Sequence, residues 1–166
     1  MHPMDLTPNP TTDRGSNEIA AVAVAFGMVD AAHRRFRTHI ARELGITIGD
    51  LTALIVISDN EETTPKMLAA ELGHSSGTVT AMIDRLTDAG HVSRAPKAGD
   101  RRSILVALTA KGSATIAIVW RRYIDAVALA VELSPRLTEQ DSLSSLQRTA
   151  EAIDIVGGQA GICQAE

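Results

Sequence analysis

The chain has 166 residues, 45% of them hydrophobic, but its only aromatic side chains are Phe26, Phe36, Trp120 and Tyr123. That length makes one globular domain or two small pieces sharing a core, and an aliphatic, alanine-rich core suits packed helices better than a β-sandwich. The net charge of −4 argues at first against nucleic acid, yet residues 64–112 hold seven Lys/Arg against four Asp/Glu, a local +3 inside an acidic body.

Residues 1–17 contain three prolines and scattered polar groups, without a hydrophobic signal segment, and read as a disordered tail. The longest uncharged apolar run, Ile19–Val29, is eleven residues, too short to span a membrane. From residue 18 to 44, Ile19, Val22, Phe26, Val29, His33, Phe36 and Ile40 recur at alternating spacings of three and four, a helix with a coiled-coil-like seam. Gly45 stops it. Thr47-Ile48-Gly49-Asp50 then opens a second helix through about Ser58 in the manner of a capping box.

Thr64-Pro65 is a good N-cap and N1 pair, and Gly73 ends that third helix. Ser75 caps a fourth, whose apolar face is Val79, Met82, Ile83 and Leu86 and which ends at Gly90. A strand at 91–95, a turn holding Pro96 and Gly99, and a return strand at 103–108 make a β-hairpin. Thr109 caps a long helix over about 110–132, with Ile116, Trp120, Tyr123 and Val127 on one stripe. Pro135 breaks the chain. A last helix is expected from Thr138, with Asp141 as its capping partner, and residues 157–166 read as a flexible tail.

The predicted fold is therefore mainly α with a small β-hairpin. A winged helix-turn-helix at 47–109 is flanked by a helical region at 18–46 and 110–156. The long apolar stripes of the flanking helices cannot all be buried on so small a module, so they call for a partner.

The helices at 64–72 and 75–89, joined by a glycine turn, have helix-turn-helix spacing, although many helical hairpins share it. The second helix adds Ser75, Ser76, Gly77, Thr78 and Thr80 in its first turns, with no acid on that exposed face. Small hydroxyl side chains and free N–H groups there can approach phosphates and base edges closely. Arg101 and Arg102 at a hairpin tip would be a solvated pair if taken alone. Following a recognition-helix pattern they read as a wing whose guanidinium groups enter a minor groove. Asp100 would orient them, since a carboxylate facing DNA is repelled, while Arg94, Lys97 and Lys66 supply secondary phosphate contacts. For Arg85 a phosphate contact and an internal salt bridge both stay open.

No Ser/His/Asp ordering, phosphate loop or CxxC pair gives an enzyme residues to rest on, and no cofactor is called for. His33 and His39 are six apart, on different helix faces, and make no metal pair. The single Cys163 cannot form an intrachain disulfide and points to a reducing cytoplasm. It has no nearby His or basic cluster and reads as inert.

Taken together, Leu68-Ala69-Ala70-Glu71-Leu72-Gly73, Ser75-Ser76-Gly77-Thr78-Val79-Thr80, Asp84-Arg85-Leu86, Gly90-His91-Val92 with Arg94, and Asp100-Arg101-Arg102-Ser103 followed by Leu108-Thr109-Ala110-Lys111-Gly112 resemble the MarR (multiple-antibiotic-resistance regulator) family. The strong likeness covers about residues 64–112. It implies a homodimer held by the first and last two helices, recognition helices in successive major grooves of a pseudo-palindromic operator, and wings in the flanking minor grooves. It implies a cytoplasmic transcription regulator, a repressor relieved by a small, often aromatic, ligand in a cleft between the dimerisation helices and the winged module. His33, Phe36, Trp120 and Tyr123 are the residues to line that cleft, and core packing explains each of them equally well. Two departures stand out. Members often carry an arginine early in the recognition helix, where this chain has Ser76, Gly77 and Ala81, and the redox-sensing branch carries a cysteine near the start of helix 1, where this chain has none. Two other readings remain: a winged-helix adaptor that binds protein, favoured by the acidic body, and a ligand-binding protein without a DNA function.

Overall fold

The helix ends follow from local side-chain chemistry. Thr47 accepts from the Asp50 N–H at 3.0 Å, Thr64 from Met67 at 3.2 Å and Ser75 from Thr78 at 3.2 Å, so each hydroxyl satisfies one donor that the first turn leaves orphaned. In the computed structural model these caps open α2 (Ile48–Asp59), α3 (Pro65–Leu72) and α4 (Ser76–Asp88), preceded by α1 (Pro10–Leu44). Gly73 closes α3 in the left-handed region at φ +61°, which a side chain would resist. A hairpin of β1 (Val92–Lys97) and β2 (Asp100–Leu108) follows, then α5 (Ala110–Leu133), a 3-10 turn at Pro135–Thr138 and α6 (Gln140–Ala160). The structure describes the backbone of residues 10–97 and 100–160, and the side chains of 15–97 and 103–156.

The chain divides into two units, Met1–Ile116 and Ala117–Glu166, with the boundary inside α5. The first has an aliphatic core of Ala53, Leu54 and Ile57 from α2, Leu68 from α3, Val79, Met82, Ile83 and Leu86 from α4, Val92 and Val106 from the hairpin, and Ile116. The predicted apolar face of α4 is therefore the buried one. The strands are antiparallel, with Val92 opposite Leu108 and Pro96 opposite Ile104. Val106 also donates its N–H to the Thr63 carbonyl at 2.8 Å, which ties the wing to the connection between α2 and α3.

The first turn of α5 is seated on the foot of β1. Thr109 accepts from the Gly112 N–H at 3.1 Å and donates to the Gly90 carbonyl at 2.7 Å. Gly112 itself presses on the His91 backbone, so the Leu-Thr-x-x-Gly sequence is a packing requirement at this junction.

In the second unit, Ile124, Leu129 and Leu133 of α5 and Leu143, Leu146, Ile153 and Ile155 of α6 are exposed, as are Ile19, Val22 and Val29 on the seam of α1. Ile40, at the other end of that seam, is buried. No helix among the described residues is long and apolar enough to cross a membrane.

Three boundaries differ from expectation. α1 begins at Pro10, so residues 10–17 are helical instead of tail; Pro10 fits a first-turn position, where its missing N–H costs nothing. α6 continues to Ala160, beyond the expected start of the C-terminal tail at 157. It begins at Gln140, because Pro135 starts a separate 3-10 turn and the Thr138 hydroxyl donates back to the Pro135 carbonyl at 2.9 Å instead of capping a helix.

Candidate nucleic-acid interface

α3 and α4 are joined by the tight turn at Gly73 and His74, and the side of α4 opposite its buried face is open to solvent. Ser75, Ser76, Gly77, Thr78, Thr80 and Ala81 are all exposed there. The Ser75 and Thr78 hydroxyls share a hydrogen bond at 2.9 Å, and Thr80 donates to the Ser76 carbonyl at 2.8 Å. These hydroxyls are held locally, and each exposed oxygen keeps acceptor capacity beyond the bond it makes. The cluster read from the sequence is thus brought together on one surface, with Lys66 exposed at the start of α3.

The hairpin is longer than predicted. β1 runs through Pro96 to Lys97 and β2 starts at Asp100, so Arg101 and Arg102 lie on a strand instead of in the turn. The register slips between Pro96 and Lys97, which leaves Arg101, Arg102 and Ser103 as extra residues on β2 at the end of the ladder. The side chains of Asp100, Arg101 and Arg102 lie outside the described residues, as does Cys163.

Arg85, Arg94 and Lys97 each meet a carboxylate. Arg85 donates to Asp50 at 2.8 Å, and Asp50 is 5% exposed, so the internal salt bridge that the sequence left open is formed. Arg94 pairs with Asp84 of α4, and Lys97 with Glu62 at 2.7 Å. The sequence reading missed all three acids as partners. Asp50 and Glu62 are each 35 positions from their cations, and no local pattern points to them.

Below this surface, Pro65, Thr80, Ile83, Arg94, Ile104 and Val106 line a cavity of about 120 Å³, well short of the ~300–1,000 Å³ typical of drug-sized ligand sites. His91 is buried where β1 leaves α4, and its Nδ1 lies 3.4 Å from the Thr115 hydroxyl. Burial, then the Lys111 ammonium, holds its pKa below the ordinary 6.5, against the opposing pull of Asp50.

Of the four residues expected to line an effector cleft, His33 and Phe36 face each other at 6.3 Å between ring centroids on α1. Trp120 and Tyr123 make an edge contact at 5.9 Å on α5. The first pair belongs to the first unit and the second pair to the second. No group of three or more His, Cys, Asp or Glu side chains among the described residues could hold a metal.

Residues 38–103 match the model of the MarR family. The multiple antibiotic resistance protein MarR of Escherichia coli is 34% identical over 98 residues, 59% of this chain and 68% of that protein. The organic hydroperoxide resistance transcriptional regulator of Bacillus subtilis is 34% identical over 71 residues, 43% of this chain; the match spans about half the length of that relative, 48%. Among solved structures, RV1404 from Mycobacterium tuberculosis superposes with a TM-score of 0.69 at 25% identity, over 81% of this chain and 92% of that one. A mutant E. coli MarR complexed with operator DNA superposes at 0.57 with 29% identity, over 82% and 96%.

Proposed function

The chain belongs to the MarR family, and on that premise we propose that it is a sequence-specific DNA-binding transcription regulator that acts as a homodimer on a pseudo-palindromic operator. Members of the family are transcription regulators, not enzymes. The observation that carries the reading is the exposed, acid-free first face of α4, presented beside a basic hairpin on a module that buries an aliphatic core of its own. Ser75, Ser76, Gly77, Thr78 and Thr80 enter a major groove. Arg101 and Arg102, oriented by Asp100, enter the flanking minor groove, and Lys66, Arg94 and Lys97 reach phosphates. Arg85 holds α4 to α2 through Asp50. The operator complex of the E. coli relative supports DNA as the partner.

The second copy covers the exposed apolar positions of α1, α5 and α6, an area that a soluble monomer seldom leaves bare. The protein acts in the cytoplasm as a repressor. A small ligand, an aromatic acid being the class the family suggests, releases it, with His33, Phe36, Trp120 and Tyr123 as the candidate contacts.

The test is retardation of the DNA upstream of the protein's own gene across a salt series. With six to ten phosphates neutralised per dimer, affinity falls roughly 10³–10⁵-fold between 50 and 200 mM salt. Absence of any salt-sensitive retardation refutes the reading and favours the protein-binding adaptor.

A further inference from the structure

Arg94 and Lys97 are the two cations of β1, and each is met by a carboxylate from a different element. Lys97 Nζ donates to Glu62 Oε2 at 2.7 Å, from the connection between α2 and α3. Arg94 Nη2 donates to Asp84, which stands one turn beyond Thr80 on the outward face of α4. Resting on the DNA-binding reading above, we propose that Glu62 and Asp84 set specificity, as carboxylate clamps that withhold Lys97 and Arg94 from random DNA and release them to phosphates fixed in register by the recognition helix.

Sequence-independent DNA binding is almost wholly phosphate neutralisation by Lys and Arg, with release of counterions. A cation already held by a carboxylate releases fewer counterions and leaves an unpaired acid beside the phosphate, so it contributes little to that mode. Both acids are more than half exposed, 59% for the Glu62 side chain and 54% for Asp84. Such pairs are weak, so a phosphate delivered to the right place displaces them. In a specific complex, contacts from α4 deliver it; on random DNA nothing does. Asp84 lies on α4 itself, so docking that helix brings the groove directly to the clamp. The arrangement also accounts for an Asp on the outward face of a recognition helix, where a bare carboxylate would repel DNA.

The experiment measures anisotropy of a labelled random-sequence duplex with the full chain, over a salt series, for the wild type, Glu62→Gln and Asp84→Asn. Both changes are close to isosteric at exposed positions, and thermal melts confirm folding. Each is expected to tighten binding at low salt by about two- to fivefold and to steepen the log–log salt slope by about 0.9 per freed cation in each bound module. Removing a negative charge also acts at long range, and a double-mutant cycle separates the two effects. The gain from Glu62→Gln should vanish in a Lys97→Gln background, and Glu61→Gln, at the neighbouring acid, should give less. An equal gain with and without Lys97, or no gain, overturns the clamp while leaving the DNA-binding reading intact. Binding only by the variants supports the clamp. Failure of every form to bind DNA at low salt overturns both.

Discussion

A Cβ built on Gly112 would lie 2.1 Å from the His91 carbonyl oxygen, a distance that only backbone movement can relieve. Gly112→Ala should therefore destabilise the protein by about 1–3 kcal/mol, the usual cost of forcing atoms into a packed site, and a thermal melt would show it. An unchanged melting temperature would mean that α5 is not seated on His91. The same junction predicts acid sensitivity. His91 is held below its ordinary pKa of 6.5, chiefly by burial, so the folded protein binds this proton less readily than the unfolded chain. The sign follows: the stability is fully present above pH 6.5 and is lost as pH falls below it. In His91→Gln, the melting temperature should fall less steeply with acid, leaving the contribution of the more exposed His33, whose pKa is lowered in the same direction by burial and then by Arg37. Equal slopes in the two proteins would contradict the assignment. The glycine was visible in the sequence as part of a motif. Its reason was not, because the atom it avoids belongs to a residue 21 positions earlier.

At the scale of elements, what was legible was what is local. Thr47, Thr64 and Ser75 cap α2, α3 and α4 as their sequences suggest, since a cap needs only a hydroxyl and an N–H three residues on. The core face of α4 followed from the spacing of Val79, Met82, Ile83 and Leu86. The start of α1 was missed because residues 10–17 carry no apolar period to mark a helix, and the start of α6 because a single turn of 3-10 helix intervenes. The hairpin is present but longer than its sequence suggests, since Pro96 reads as a turn residue and instead sits beside the slip in register. The pairings of Arg85, Arg94 and Lys97 are tertiary and could not be read from spacing. With those three cations engaged, Arg101 and Arg102 on β2 become the first place to mutate. Arg102→Ala is expected to weaken binding to specific and unrelated DNA alike, because a minor-groove anchor reads charge and width more than sequence. Unchanged affinity at physiological salt would remove the wing from the interface.

On the scale of the whole molecule, a winged module with a complete core of its own is joined to helices that leave large apolar side chains in water. Ile19 is 73% exposed, Leu133 80% and Val156 68%. Under the proposed function the module would contact one half-site, and a second copy would cover the exposed helices. Net charge fits the same division, with a basic segment for DNA inside an acidic chain that limits indiscriminate binding. The proposed dimer reading DNA through α4 and the wing can be checked by selecting bound duplexes from a random library and sequencing them. The expected result is an enriched pseudo-palindrome whose half-sites lie about one helical turn, roughly 10–10.5 base pairs, or a multiple of it, apart. Enrichment of a lone half-site, or of no sequence at all, would contradict it.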